Sequence, residues 1–293
     1  MRIRESAGRK GFLAINALML GVVGFCCLAP MLHVFWCSFS DPYTLAREGG
    51  FHLLPIPPFS FDGYAAVLSY RNIWVGYANT VFYVCAGVLI NLTLTSVAAY
   101  VLSRKRFMPR SAVMLFMAFT MLFNGGLIPN YLLVMMLGLN NSRWSILLTS
   151  AFNVFNMIIL RTSFQEVPEA LEESARLDGA GDLRILWHVV LPLSKATLAV
   201  IALFVAVGQW NSWFTASIFL QDRSKWPLQM LLREVLINNS QRSLESGVRA
   251  SAMALQTLVK YAIIIVATLP ILCLYPFVQR FFVKGMMIGS IKG

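Results

Sequence analysis

Between one apolar stretch that ends near Leu160 and another that begins at Ala196, the chain carries Glu166, Glu169, Glu172, Glu173 and Asp178. Carboxylates gathered on a polar insert between greasy segments suit the docking of a partner better than catalysis. No nucleophile stands in a recognisable arrangement with a base, and no His or Cys set has metal-ligand spacing. A second cluster, Gln209-Trp210-Asn211-Ser212-Trp213, combines amides that hydrogen-bond hydroxyls with aromatic faces that cover C–H patches. That combination suits a sugar path, although amides also bridge helices and Trp marks membrane interfaces. A third group, Arg233, Arg242 and Arg249, lies on a Leu-rich stretch expected to be helical over 228–258. Its positive charge suits an acidic partner or an acidic sugar, and equally lipid headgroups or water. Catalytic, metal-binding and cofactor-binding residues are expected to be absent. There is no Gly-x-x-x-x-Gly-Lys-[Ser/Thr] phosphate loop, so an energy source would sit on another chain.

The elements that hold these groups are read from composition. Hydrophobic residues make up 58% of the 293 and charged residues 13%; the mean hydropathy is +0.67. Soluble domains average about 45–50% apolar and about 25% charged, so this is an integral membrane protein. Apolar segments over 12–36, 77–102, 111–137, 144–160, 196–220 and 258–282 are long enough, or nearly so, for the roughly 20 residues a span needs. The net charge of +11 does not indicate nucleic acid. Arg2, Arg4, Arg9 and Lys10, then Arg104, Lys105, Arg106 and Arg110, then Arg280, Lys284 and Lys292 flank alternate ends of the spans. That pattern puts both termini in the cytoplasm.

The five cysteines lie in or beside apolar runs and read as packing residues. The first apolar run is too long for a cleavable signal and reads as a retained span. His33 reads as a packing or interfacial residue. Asn124-Gly125-Gly126, with Pro129 behind it, predicts a kink in the third span. No Asp, Glu, Lys or Arg sits well inside a span, Lys260 being near an end, which counts against an ion-coupled carrier.

Within the insert, Pro168 suits a helix first turn and the glutamates crowd its N-terminal half, where the helix dipole favours anions. Ala170, Ser174 and Ala175 leave a small-residue surface. Gly179 offers a bend that a Cβ resists. A second short helix over about 182–190 would present Leu183, Leu186 and Val190 on one side before Pro192 ends it.

The order Glu173-x-Ala175, Gly179 four residues later and Leu191-Pro192 twelve after the Gly resembles the EAA loop. That loop belongs to permease subunits of binding-protein-dependent ABC importers. Asp178-Gly179-Ala180 resembles the sugar-importer branch, as does the Gly-rich tail from Lys284 to Gly293. The segment 123–133 resembles the subgroup that handles oligo- and polysaccharides, including uronate-rich ones such as alginate.

The resemblance implies an all-α polytopic membrane protein with six transmembrane helices in the type I ABC importer permease fold. It implies a single permease domain over 1–293, a cytoplasmic coupling loop over 161–195, a long periplasmic loop over 221–256 and a cytoplasmic tail over 283–293. Glu173, Ala175, Asp178 and Gly179 would dock an ATPase, and Gln209, Trp210, Asn211 and Trp213 would face the substrate. Arg233, Arg242 and Arg249 would meet the binding protein. The implied partners are two ABC ATPases carrying ATP and Mg, a second, different permease and a periplasmic or lipid-anchored solute-binding protein. The place would be the bacterial inner membrane. A channel or secondary carrier with a docking loop is the alternative.

Overall fold

The computed structural model describes residues 7–245 and 255–273, and among them every regular element is helical. The chain divides into two units: 1–71 with 234–269, and 72–233 with 270–293.

The first unit opens with α1 (Ala7–Cys37), whose apolar side chains, from Phe12 to Leu28, stand largely exposed, as on a helix that meets lipid. The loop after it holds α2 (Pro42–Glu48) and α3 (Asp62–Ser69). Asp41 caps α2 by accepting from the Thr44 N–H at 2.8 Å. Gly63 of α3 lies so close to the helix Leu255–Cys273 that a Cβ there would stand 2.8 Å from Leu258 Cγ. His33 is a packing residue, as expected: its ring stacks on Phe51 at 4.9 Å, meets Tyr261 edge-on, and accepts from the His52 N–H at 3.0 Å.

The second unit is organised around α4 (Arg71–Ser103), an unbroken helix of 33 residues. The apolar segments that follow are broken. α5 (Arg110–Leu122) and α6 (Leu127–Met136) diverge by 112°, and α7 (Arg143–Thr149) and α8 (Val154–Gln165) by 51°. The expected kink at Asn124-Gly125-Gly126 is therefore a full break. Gly126 sits at φ +82, and Asn124 Oδ1 accepts from its N–H at 2.9 Å in place of a helical carbonyl. Pro129 falls in the first turn of α6, where its missing N–H costs nothing. Asn153 caps α8 through the Asn156 N–H at 3.1 Å, which fixes the second break.

The insert follows as α9 (Glu169–Leu177) and α10 (Asp182–Leu193), then α11 (Lys195–Trp210) and α12 (Trp213–Phe219). α8 runs to Gln165, so its last turn overlaps the stretch 161–195 expected as the insert. Pro168 precedes the first turn of α9 as its cap position. α10 passes through Pro192 and stops at Ser194, where the chain turns 87° into α11. A π turn over Leu186–Val190 lies within α10. Leu186 and Val190 are buried with Ile185, while Leu183 is 68% exposed and does not share their side. Those buried residues join Ala99, Leu102, Met157, Leu160 and Phe164 in one apolar core, so the inner face of the insert is held by α4 and α8.

At the opposite end of this unit, Gly138 and Asn141 adopt positive φ in the turn that joins α6 to α7. Asn141 accepts from the Asp222 N–H and, through its carbonyl, from Lys225 Nζ at 2.7 Å. α13 (Leu228–Glu245) then begins against α4, its Leu228 N–H donating to Thr80 Oγ1. Three helices are long and apolar enough to cross a membrane singly among the described residues, and up to six if each bent pair counts as one. That is consistent with the six expected spans. The last part of the sixth, 274–282, and the tail over 283–293 lie outside the described residues.

Candidate functional site

The amphipathic α9 divides two adjacent glutamates between opposite faces, because neighbours on a helix point about 100° apart. Glu172 is 4% exposed; Glu173 is exposed and makes no ion pair among the described residues. Asp178 and Gly179 are also exposed, and Ala175 is half-buried. α9 ends in a Schellman arrangement: the Gly179 N–H donates to Arg176 O and the Ala180 N–H to Ala175 O, both at 2.9 Å. Gly179 stands at φ +80 with open space around its missing Cβ, so backbone conformation alone demands glycine there. Beside these residues Leu177 (90% exposed) and Trp187 (59%) also face outward. The outer face of the insert thus pairs unpartnered carboxylates with uncovered apolar side chains, which suits a protein partner.

The inner face is held by charge. Arg104 is ion-paired with Glu172, both side chains being nearly buried. Its guanidinium also lies over the Tyr100 ring at 4.7 Å and donates to Phe164 O at 3.4 Å. Lys105 pairs with Glu169 at 2.6 Å, and Arg106 pairs with Asp182, which Arg176 approaches at 3.3 Å. Burial pushes the Glu172 carboxyl above its ordinary range, opposed by Arg104 and Arg176, while the Lys105 ammonium holds Glu169 below it. The basic cluster read from sequence as a topology signal is therefore also the seat of the insert. Nothing in its local pattern showed this, because its partners lie some sixty or more residues away.

A cavity of about 960 Å³ lies among α4, α6, α7, α8, α11 and α12. Asn91, Asn130, Asn153, Asn156, Gln209 and Asn211 bring amides to it, with several hydroxyls and phenyl rings beside them. No Asp, Glu, Lys, Arg or His is among its lining residues. Gln209 is nearly buried, donates to Ser150 Oγ and packs against Gly87, where a Cβ would come within 2.6 Å of its amide nitrogen. Asn91 donates to Ser150 O at 3.2 Å. The pentad at 209–213 is divided. Gln209 and Asn211 reach the cavity, whereas Trp210 is buried with its Nε1 unpartnered and Trp213 does not line it. Trp213 instead carries the Arg233 guanidinium at 3.7 Å, bringing together two residues that sequence reading had given separate roles. The Arg242 side chain and Arg249 lie outside the described residues. Asn91, Asn153 and Asn156 were overlooked in the sequence; lone amides inside apolar runs were the available signal.

Known proteins show matching sequences and folds. The family described as "Binding-protein-dependent transport system inner membrane component" matches residues 91–288. Protein LplC of Bacillus subtilis (strain 168) is 40% identical over 287 residues, 98% of this chain and 96% of its own. The polygalacturonan/rhamnogalacturonan transport system permease protein YtcP of the same organism is 41% identical over 285 residues, covering 97% and 96%. A chain in the crystal structure of a bacterial ABC transporter involved in the import of the acidic polysaccharide alginate is 36% identical. It superposes with a TM-score of 0.86 over 95% of this chain and 99% of its own length.

Proposed function

We propose, on the premise that this chain belongs to the family of binding-protein-dependent transport system inner membrane components, that it forms one half of the saccharide path of an ATP-driven importer. Membership makes it a membrane transport subunit and removes the reading as a channel or ion-coupled carrier. The observation that carries the saccharide assignment is the cavity. Its amides each offer donors and an acceptor to hydroxyls, its phenyl rings suit C–H faces, and it presents no fixed charge to trap a moving ligand.

The substrate class is an oligo- or polysaccharide, with uronate-rich chains included because YtcP and the alginate importer are relatives of high coverage. The lining within this chain offers no cation, so uronate carboxylates would stay hydrated or meet the second permease as they pass. Glu173, Ala175, Asp178 and Gly179, with Leu177, Leu183 and Trp187 around them, form the seat for a cytoplasmic ATPase. ATP and Mg bind on two such ATPases, and this chain hydrolyses nothing itself. A second, different permease completes the path, and a solute-binding protein delivers the saccharide near Arg233, Arg242 and Arg249. Both termini then lie in the cytoplasm.

Purification of the tagged chain from its native membranes in mild detergent tests this reading. Recovery of an ATPase and a second permease is expected. In proteoliposomes, the loaded binding protein should stimulate ATP-dependent uptake of oligogalacturonate or another oligosaccharide. Recovery of this chain with no nucleotide-binding partner overturns the proposal. Single cysteines at Gln209 and Asn211 should react with water-soluble thiol reagents; inertness at both, in all nucleotide states, would remove them from the path.

A further inference from the structure

We infer that Arg104 is a positioning residue that ties the docking insert to α4, making α4 the lever by which motion of the insert reaches the cavity. The inference rests on the proposed role of the insert as the ATPase seat.

The two ends at which the insert continues into its neighbours are both bent. Pro168 stands in extended backbone between α8 and α9, and the chain turns 87° at Ser194 between α10 and α11. Force passing along the backbone would meet a hinge either way. α4 has no chain connection to the insert, yet the turn that leaves its inner end at Ser103 is fastened there at three points: Arg104, the first residue past the helix, to Glu172, then Lys105 to Glu169 and Arg106 to Asp182. The Arg161 Nε donation to Leu102 O at 2.9 Å adds α8 to the same joint.

These fastenings are unequal. Lys105–Glu169 is solvent-exposed and Arg106–Asp182 is half exposed, so each is worth little alone. Arg104–Glu172 is nearly buried, and its geometry is fixed further by the Tyr100 ring and Phe164 O. Beyond this joint, α4 is the unbroken apolar helix of the unit among the described residues; the segments from α5 to α8 bend by 51° or more. Along the same helix lies Asn91, which lines the cavity and bonds Ser150, the residue that also holds Gln209. One stiff element therefore runs from the ion-paired joint to the amides of the path.

The test uses the complete importer in proteoliposomes. Arg104→Gln should leave the ATPase co-purifying, because the Glu173 face is untouched. ATP hydrolysis should continue while saccharide taken up per ATP falls about tenfold, within the ordinary range of coupling free energies.

In the same Arg104→Gln background, with the five native cysteines replaced by alanine, Lys105→Cys and Glu169→Cys joined by a reducible bifunctional maleimide should restore most of the lost ratio. Cleaving the linker should remove it again. Unchanged uptake per ATP in Arg104→Gln, loss of ATPase co-purification, or no recovery on cross-linking would each overturn the lever. Failure of the unsubstituted chain to recover any ATPase would instead overturn the proposed function, so the two failures are distinct.

Discussion

The two ends of the path from insert to cavity treat polar groups in opposite ways. At the insert, Arg104, Lys105, Arg106 and Arg176 face Glu169, Glu172 and Asp182, and each charge has a fixed partner. Further along α4, at Asn91, the cavity wall is amide, hydroxyl and phenyl, with no ionised side chain. A nearly buried charge must be paired to offset its desolvation, and the pair then resists being parted. A neutral amide can exchange partners at smaller cost. Charge is used where the insert is pinned, and neutral polarity lines the cavity.

The largest expected effect comes from leaving one buried charge alone. Glu172→Gln strands Arg104, which cannot shed its proton, and should cost about 3–5 kcal/mol in thermal unfolding of the detergent-solubilised complex. Arg104→Gln should cost less, because Glu172 can protonate. Burial raises the Glu172 carboxyl, so the fold favours its protonated form more than the unfolded chain does. That contribution is full below the usual Glu range and is lost as pH rises through the raised value. The Arg104→Gln protein should therefore gain stability as pH falls from neutral, and the Glu172→Gln protein should not. Equal losses at every pH would break the contrast between paired charge and neutral wall.

A charge placed in the neutral wall sharpens it from the other side. Gln209→Glu replaces the amide that donates to Ser150 Oγ with an acceptor. The unmade bond should cost about 1–3 kcal/mol, read as a lower melting temperature. Uptake of an acidic oligosaccharide should fall further than uptake of a neutral one. Gly179→Val forces a β-branched residue to φ +80, at about 1–2 kcal/mol or more of local strain. Assembly should survive and uptake per ATP should drop; normal transport would show that the bend is not needed for docking. The smallest effect is expected from Arg233→Ala, which removes a cation–π contact with Trp213 worth about 0.5–1 kcal/mol. Stimulation of hydrolysis by the binding protein should weaken at low salt and little at high salt.

Class and coarse layout were legible because they depend on period and composition alone. Apolar runs of span length announce membrane helices wherever they pack, and a positive-φ turn after a short helix selects glycine locally, as at Gly179. The breaks were less legible. Asn124-Gly125-Gly126 signals weakness, but whether a helix bends slightly or stops depends on whether a side chain takes over the lost bond, as Asn124 does here. Leu183 was misplaced because helical spacing puts it about 60° from Leu186 but does not say where the buried face ends, and Ile185 continues that face on the other side.

By itself, the sequence determined that this is an all-helical membrane protein with an acidic insert between its apolar segments. Only the tertiary structure decided that Glu172 turns inward and Glu173 outward, and that Gln209 and Asn211 meet the cavity while Trp210 and Trp213 do not. The reason is distance along the chain. A helix puts residues on faces by local rules, but which face is inside depends on Arg104, Ser150 and Gly87, which reach those sites from elements scores of residues away.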